Sequence, residues 1–166
     1  MTATLKQNIQ KGIREMLKKY TTCKPEHIVC GYNNQVQLPE NNDYIIFTVL
    51  NPYRDCTPVV TYSSKGLSSE QDFRVVVQID FYGDLAFDRA NAIMNIARTE
   101  FLCDFLKQYD IQPISCDDAK NLTGVSGERE YVERWSVDFE IDYQDAVIDN
   151  QDWFNTAELN IIRTEL

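Results

Sequence analysis

A chain of 166 residues and 19.3 kDa holds one ordinary domain and can bury about two thirds of its unfolded surface. With 43% apolar and 25% charged residues, 6 Gly and 5 Pro, its composition excludes collagen-like, low-complexity and wholly disordered chains. A net charge of −10 gives no general attraction for nucleic acid, where affinity comes mainly from neutralising phosphates.

The start, MTATLKQNIQKGIREMLKKY, alternates charged and apolar residues, unlike a signal peptide. No apolar run approaches the roughly 18 uncharged residues of a membrane span. The expectation is a soluble, intracellular protein with no membrane contact. Thr4 and Gln7 form a capping-box pattern, and Leu5, Ile9, Ile13, Met16, Leu17 and Tyr20 recur at helical spacing, so a helix is predicted over 5–20. Lys11, Arg14 and Lys18, three and four apart, place three cations on its opposite stripe. Such a stripe is most simply a solvated face.

Residues 27–32 read as a short strand and 33–43 as a polar loop. The run Tyr44-Ile45-Ile46-Phe47-Thr48-Val49-Leu50 reads as a strand covered on both faces at the middle of a sheet, stopped by Asn51-Pro52. A strand over 57–63 and a turn over 64–69 follow. Phe73, Val75, Val77, Ile79 and Phe81 then alternate with polar positions, which predicts a strand with one buried face. Gly83-Asp84 ends it and offers an aspartate cap to a helix over 85–108, whose stripe is Ala86, Ala90, Ile93, Ala97 and Phe101. Three alanines there predict a helix lying close over strands.

Residues 111–128 read as a strand fragment and a long turn. The last strand, 131–143, has an oily side and an acidic side; Asp138, Glu140 and Asp142 share the latter at intervals of about 6.5–7 Å. Beyond it Val147, Ile148, Trp153, Phe154, Leu159, Ile161 and Ile162 keep no clear period. The predicted fold is α+β: a mostly antiparallel twisted sheet with two main helices on one face, residues 1–146 forming a single domain and 147–166 a C-terminal extension or arm.

Charge is segregated along the chain. Residues 1–24 carry six of the 16 basic residues and one acid, leaving −15 on the other 142 residues; residues 137–166 hold eight acids against Arg163. Catalytic chemistry is thinly represented. His27 is the lone histidine, and Cys23, His27, Cys30 and Cys56 match no known zinc spacing. A cysteine nucleophile paired with His27 lacks a third orienting group. Asp117-Asp118 and the row at 138, 140 and 142 are carboxylate pairs compatible with a divalent metal or a glycosidase, but exposed acidic rows are far commoner than catalytic ones. Gly124 and Gly127 lack the companions of a phosphate loop. Asn121-Leu122-Thr123 spells a glycosylation acceptor, a chance match without a secretory signal. The reading is of no catalytic, cofactor or metal site.

The apolar residues of the tail sit among acids, where a monomer either folds them back or gives them to a neighbour. In the second case a basic N-terminal helix and an acidic C-terminal region attract head to tail, and heterologous contacts close into rings. Lys11, Arg14 and Lys18 together with Trp153, Phe154, Ile161 and Ile162 are the candidate subunit interface.

The loop from Asn34-Gln35 to Pro39 followed by Tyr44-Ile45, the strand ending Phe81-Tyr82-Gly83, the alanine-lined helix after it, and Asn121-Leu122-Thr123 before Glu133-Arg134-Trp135 and Asp138 occur in an order and spacing that resembles the tailed-bacteriophage neck and tail terminator family. The resemblance covers about residues 5–146. It implies a structural virion component that needs no cofactor, assembled in the host cytoplasm and built as a ring of six copies that ends the tail tube. It also implies two partners, the tail tube protein and the head connector, and DNA passing through the opening without specific binding. An acidic wall of Asp138, Glu140 and Asp142 would repel phosphates there. The alternatives are a small intracellular metal-dependent hydrolase using acidic residues and a monomeric adaptor.

Overall fold

The structure is a computed structural model describing residues 4–32, 39, 42–63, 66–126 and 130–150. In chain order it contains α1 (Leu5–Tyr20), a 3-10 turn (Pro25–His27), β1 (Ile28–Cys30), β2 (Ile45–Arg54), β3 (Val59–Ser63), β4 (Gly66–Tyr82), α2 (Ala86–Ile96), α3 (Glu100–Lys107), β5 (Gln112–Cys116), β6 (Lys120–Asn121), β7 (Gly124–Ser126), β8 (Glu130–Val132) and β9 (Arg134–Asp149). One seven-stranded sheet runs in the order β1-β2-β4-β9-β5, with β3 also on β4 and β6 also on β9; β7 and β8 form a separate ribbon. Among the described residues only the β1–β2 pairing is parallel. The class is α+β.

Helix α1 begins as its sequence dictates. The Thr4 hydroxyl accepts from the Gln7 amide, and Gln7 Oε1 accepts from the Thr4 amide at 2.9 Å, so two otherwise orphaned donors are satisfied. Its apolar stripe, Ile9, Ile13, Met16 and Leu17, is fully buried against the sheet. On the sheet side the partners are the alternating residues Val75, Val77, Ile79 and Phe81 of β4 and Val137, Phe139 and Ile141 of β9. Ala86 and Ala90 of α2 are completely buried, which lets that helix lie low over the strands.

The predicted helix over 85–108 is two helices. The Thr99 backbone is extended, and both its amide and its hydroxyl bond to the Ile96 carbonyl, at 3.0 and 2.7 Å, closing α2 and starting α3. The break rotates the stripe, so Leu102 and Leu106 are buried while Phe101 is exposed. Asp84 does not cap α2: the helix starts two residues later, with Leu85 at the N-cap.

The strand over 44–50 is neither central nor covered on both faces. β4 and β9 form the middle, and Ile46 and Thr48 of β2 are half-buried opposite the polar Asp80 and Gln78. Nor does Asn51-Pro52 stop it. The register shifts between Val49 and Pro52, a bulge at a place where β1 no longer pairs, so the missing proline N–H costs no ladder bond. β2 and β3 thus run in succession along the whole of β4, and β9 lines its other side from Arg134 to Asp149. At about 3.3 Å per residue, the 17-residue β4 is roughly 55 Å long. Its core-facing side chains are fully buried only from Val75 onward, so about half of the ribbon projects past the helices.

Candidate functional site

The residues that carried the family resemblance converge on the helix-covered end of the sheet. Tyr44 and Tyr82 stack with ring centroids 4.4 Å apart, and the Tyr82 amide donates to the Tyr44 carbonyl at 2.9 Å. Arg134 lies over the Tyr82 ring and pairs with the buried Asp80 at 3.1 Å. The Leu122 amide donates to the Arg134 carbonyl, the Arg134 amide donates to the Thr123 hydroxyl, and the Asn121 side chain accepts from the Thr123 amide. Asn121-Leu122-Thr123 is therefore a turn bonded to the last strand. The Gly83 amide donates to the Glu133 carbonyl, with Gly83 at φ +96, a left-handed conformation suited to glycine. Trp135 bonds Glu133 through its indole and packs on Phe87, 4.8 Å between centroids. Each motif is a piece of one scaffold joining β2, β4, β6 and β9. Residues 34 and 35, also part of the pattern, lie outside the described residues.

Asp138, Glu140 and Asp142 share the helix-free face, as strand alternation requires, yet each has a different environment. Asp138 pairs with Lys120 at 3.1 Å. Glu140 accepts from the Tyr53 hydroxyl and, at 2.9 Å, from Ser115; the Tyr53 bond foremost, then Ser115 and Arg74, hold its carboxyl below the usual glutamate range against the effect of burial. Asp142 has one buried oxygen without a hydrogen-bond partner, and burial, with Asp72 adding, pushes its carboxyl up. Asp55, Glu70, Asp72 and Asp80 lie on or beside the same face, against Arg74, Arg134 and Lys120.

The projecting half of the ribbon is the feature that sequence reading missed. Val59, Val60, Tyr62, Val147 and Ile148 are all about half exposed or more, Tyr62 to 68%. Register sorts them by face: Val60 opposes Ser69, which opposes Val147, and Tyr62 opposes Leu67, all on the side the helices occupy further along; Ile148 opposes Ser68 on the other side. Large apolar side chains so exposed on a sheet mark a contact surface. The signal was present in Val59-Val60-Thr61-Tyr62 and in Val147-Ile148. It was hidden by reading Asn51-Pro52 as a stop and the last strand as ending at 143.

Residues 7–165 match the family model described as Phage neck terminator protein. The chain belongs to that family. No curated protein matches it. As a neck terminator it is a structural component of the phage neck, placed in the virion among other virion proteins.

In this neck terminator the three cations of α1 are not equivalent. Lys18 pairs with Glu15 at 2.6 Å, and Lys11 lies over the Tyr109 ring. Lys19, outside the stripe, sits 4.4 Å over Phe105. Trp153, Phe154, Ile161 and Ile162 lie outside the described residues. The thiols and His27 are scattered: Cys23 is buried and feels Arg89 and Asp43, Cys30 accepts from Gln10 at 3.1 Å, and Cys56 is exposed beside Gln71. Burial, followed by Asp117, Asp138 and Asp118, pushes the Cys116 thiol to about 11, so it stays protonated at neutral pH. Among the described residues no group of three or more His, Cys, Asp or Glu is placed to hold a metal ion, and no helix is long and apolar enough to cross a membrane.

Proposed function

We propose that copies of this neck terminator close head to tail into a ring, six in number as the family resemblance implies, at the head-proximal end of the tail. The ring ends the tail tube and presents a docking surface to the head connector. The observation that carries this reading is the projecting ribbon, which holds apolar side chains in water on both faces and is explained by burial against another subunit. The subunit interface joins the α1 stripe, Lys11, Arg14 and Lys18, to the acidic C-terminal region with Trp153, Phe154, Ile161 and Ile162. The helix-free face with Asp138, Glu140 and Asp142 lines the opening, where an excess of carboxylates repels DNA phosphates and lets the duplex pass. Assembly takes place in the host cytoplasm, before the head and tail join.

Mixing the purified chain with its tail tube protein tests the reading. Negative-stain images should show a ring capping one end of each tube, with bound mass near six chains per tube end. Tubes that stay uncapped and keep growing in the presence of excess chain would refute it.

A further inference from the structure

We infer that the helix-side face of the projecting ribbon receives the C-terminal segment, residues 151–166, of the neighbouring copy. The inference rests on the ring reading, which supplies a neighbour beside every ribbon. The face carries apolar side chains in two stretches, separated by Gln71 opposite Asp145. It starts in a notch of about 260 Å³ among Leu5, Ile9, Val49, Pro52, Val75 and Tyr143, where α1 ends its cover of the sheet. The first stretch includes Phe73 stacked on Tyr143, centroids 5.6 Å apart, and the second, beyond the Gln71 and Asp145 row, holds Val60, Val147 and Tyr62 near the tip. Val60, Tyr62 and Val147 keep 48%, 68% and 65% of their surface in water, so among the described residues nothing covers the distal part.

The segment matches this strip in chemistry and in length. It carries Trp153, Phe154, Leu159, Ile161 and Ile162, enough apolar side chains for the notch and the rows beyond it, interleaved with Asp152, Glu158 and Glu165. Lys6 lines the notch and supplies one cation beside it. From Tyr143 to Asp149 the strip measures about 20 Å, and sixteen residues span up to about 50 Å when extended. β9 runs from Trp135, opposite the buried Phe81, to Asp149, opposite Leu67 at the tip, so the segment sets out from the end farthest from its own helices.

Cysteine cross-linking in the full chain tests the contact. With the exposed Cys56→Ser replaced, Tyr62→Cys and Phe154→Cys are combined, the chain is oxidised at assembly concentration, and the products are separated without reductant. A ladder of covalent multimers that collapses on reduction is expected, and it should be weak when Thr61→Cys, on the opposite face, replaces Tyr62→Cys. A band of one chain with an internal link would show that the segment closes on its own sheet, and no link at all would show that the strip is not its site. Either result overturns the inference while capped tubes in negative stain leave the ring standing. Uncapped tubes with the wild-type chain refute the ring itself.

Discussion

Two neighbouring carboxylates on β9 titrate in opposite directions because of what surrounds them. Glu140 is held by hydroxyl donors, which favour its charged form, whereas Asp142 keeps a buried oxygen without a donor and meets Asp72, both of which favour its neutral form. The folded state therefore retains the Asp142 proton to a higher pH than the unfolded chain does. Its favourable contribution is complete below the ordinary aspartate range and is lost as pH rises through the raised value, so at neutral pH this charge burdens the fold. Asp142→Asn is expected to raise the urea midpoint at pH 7, with the gain shrinking towards zero below about pH 3, the lower edge of the ordinary aspartate range. An equal gain at both pH values would show that the effect is packing and not charge. The row read from sequence as three acids on one face is three different groups, since alternation fixes the face of a side chain but not its partners.

Gly66 governs the tip of the ribbon at the scale of elements. It holds φ +123, and a Cβ there would strike the Asp149 carbonyl, so no other residue fits without moving β9 away from β4. Gly66→Ala is expected to cost about 1–3 kcal/mol of strain, released by opening pairs such as Leu67 with Asp149 and Ser68 with Ile148. Hydrogen exchange should show protection lost at the tip and kept at Val77 and Ile79 in the core. Uniform loss would mean that the tip and the domain unfold as one unit. On the ring reading the same variant weakens assembly, because the tip carries the apolar rows.

Over the whole molecule, cations on one helix and acids at the opposite end of the chain make charge reversal informative. Lys11→Glu, Arg14→Glu and Lys18→Glu together remove one ion pair with Glu15 and one contact with Tyr109, each worth at most about 1 kcal/mol on a surface. On the ring reading, the variant is expected to melt within a few degrees of wild type while its capping of tail tubes falls at least tenfold. Capping by the wild-type chain should weaken between 0.05 and 0.5 M salt, since the Debye length drops below 10 Å above 0.1 M. Unchanged capping by the variant would exclude the α1 stripe from the interface.

Sequence alone determined the elements with strong local patterns: the capped helix from Leu5, the alternation from Phe73 to Phe81, the alanine stripe of α2, and the oily and acidic sides of the last strand. Each is set by contacts a few residues apart or by one period repeated, and so is readable without knowing the partner. Tertiary structure decided the rest. The bulge that carries β2 past Pro52 and the pairing that adds β9 to β3 and β4 in one projecting ribbon depend on hydrogen bonds made by β4 with segments distant in sequence, whereas the split at Thr99 rests on its own bonds to the Ile96 carbonyl, which the period of the stripe does not report. The exposed apolar rows exist only once that register is fixed, because a side chain's face and its cover are properties of the assembled sheet.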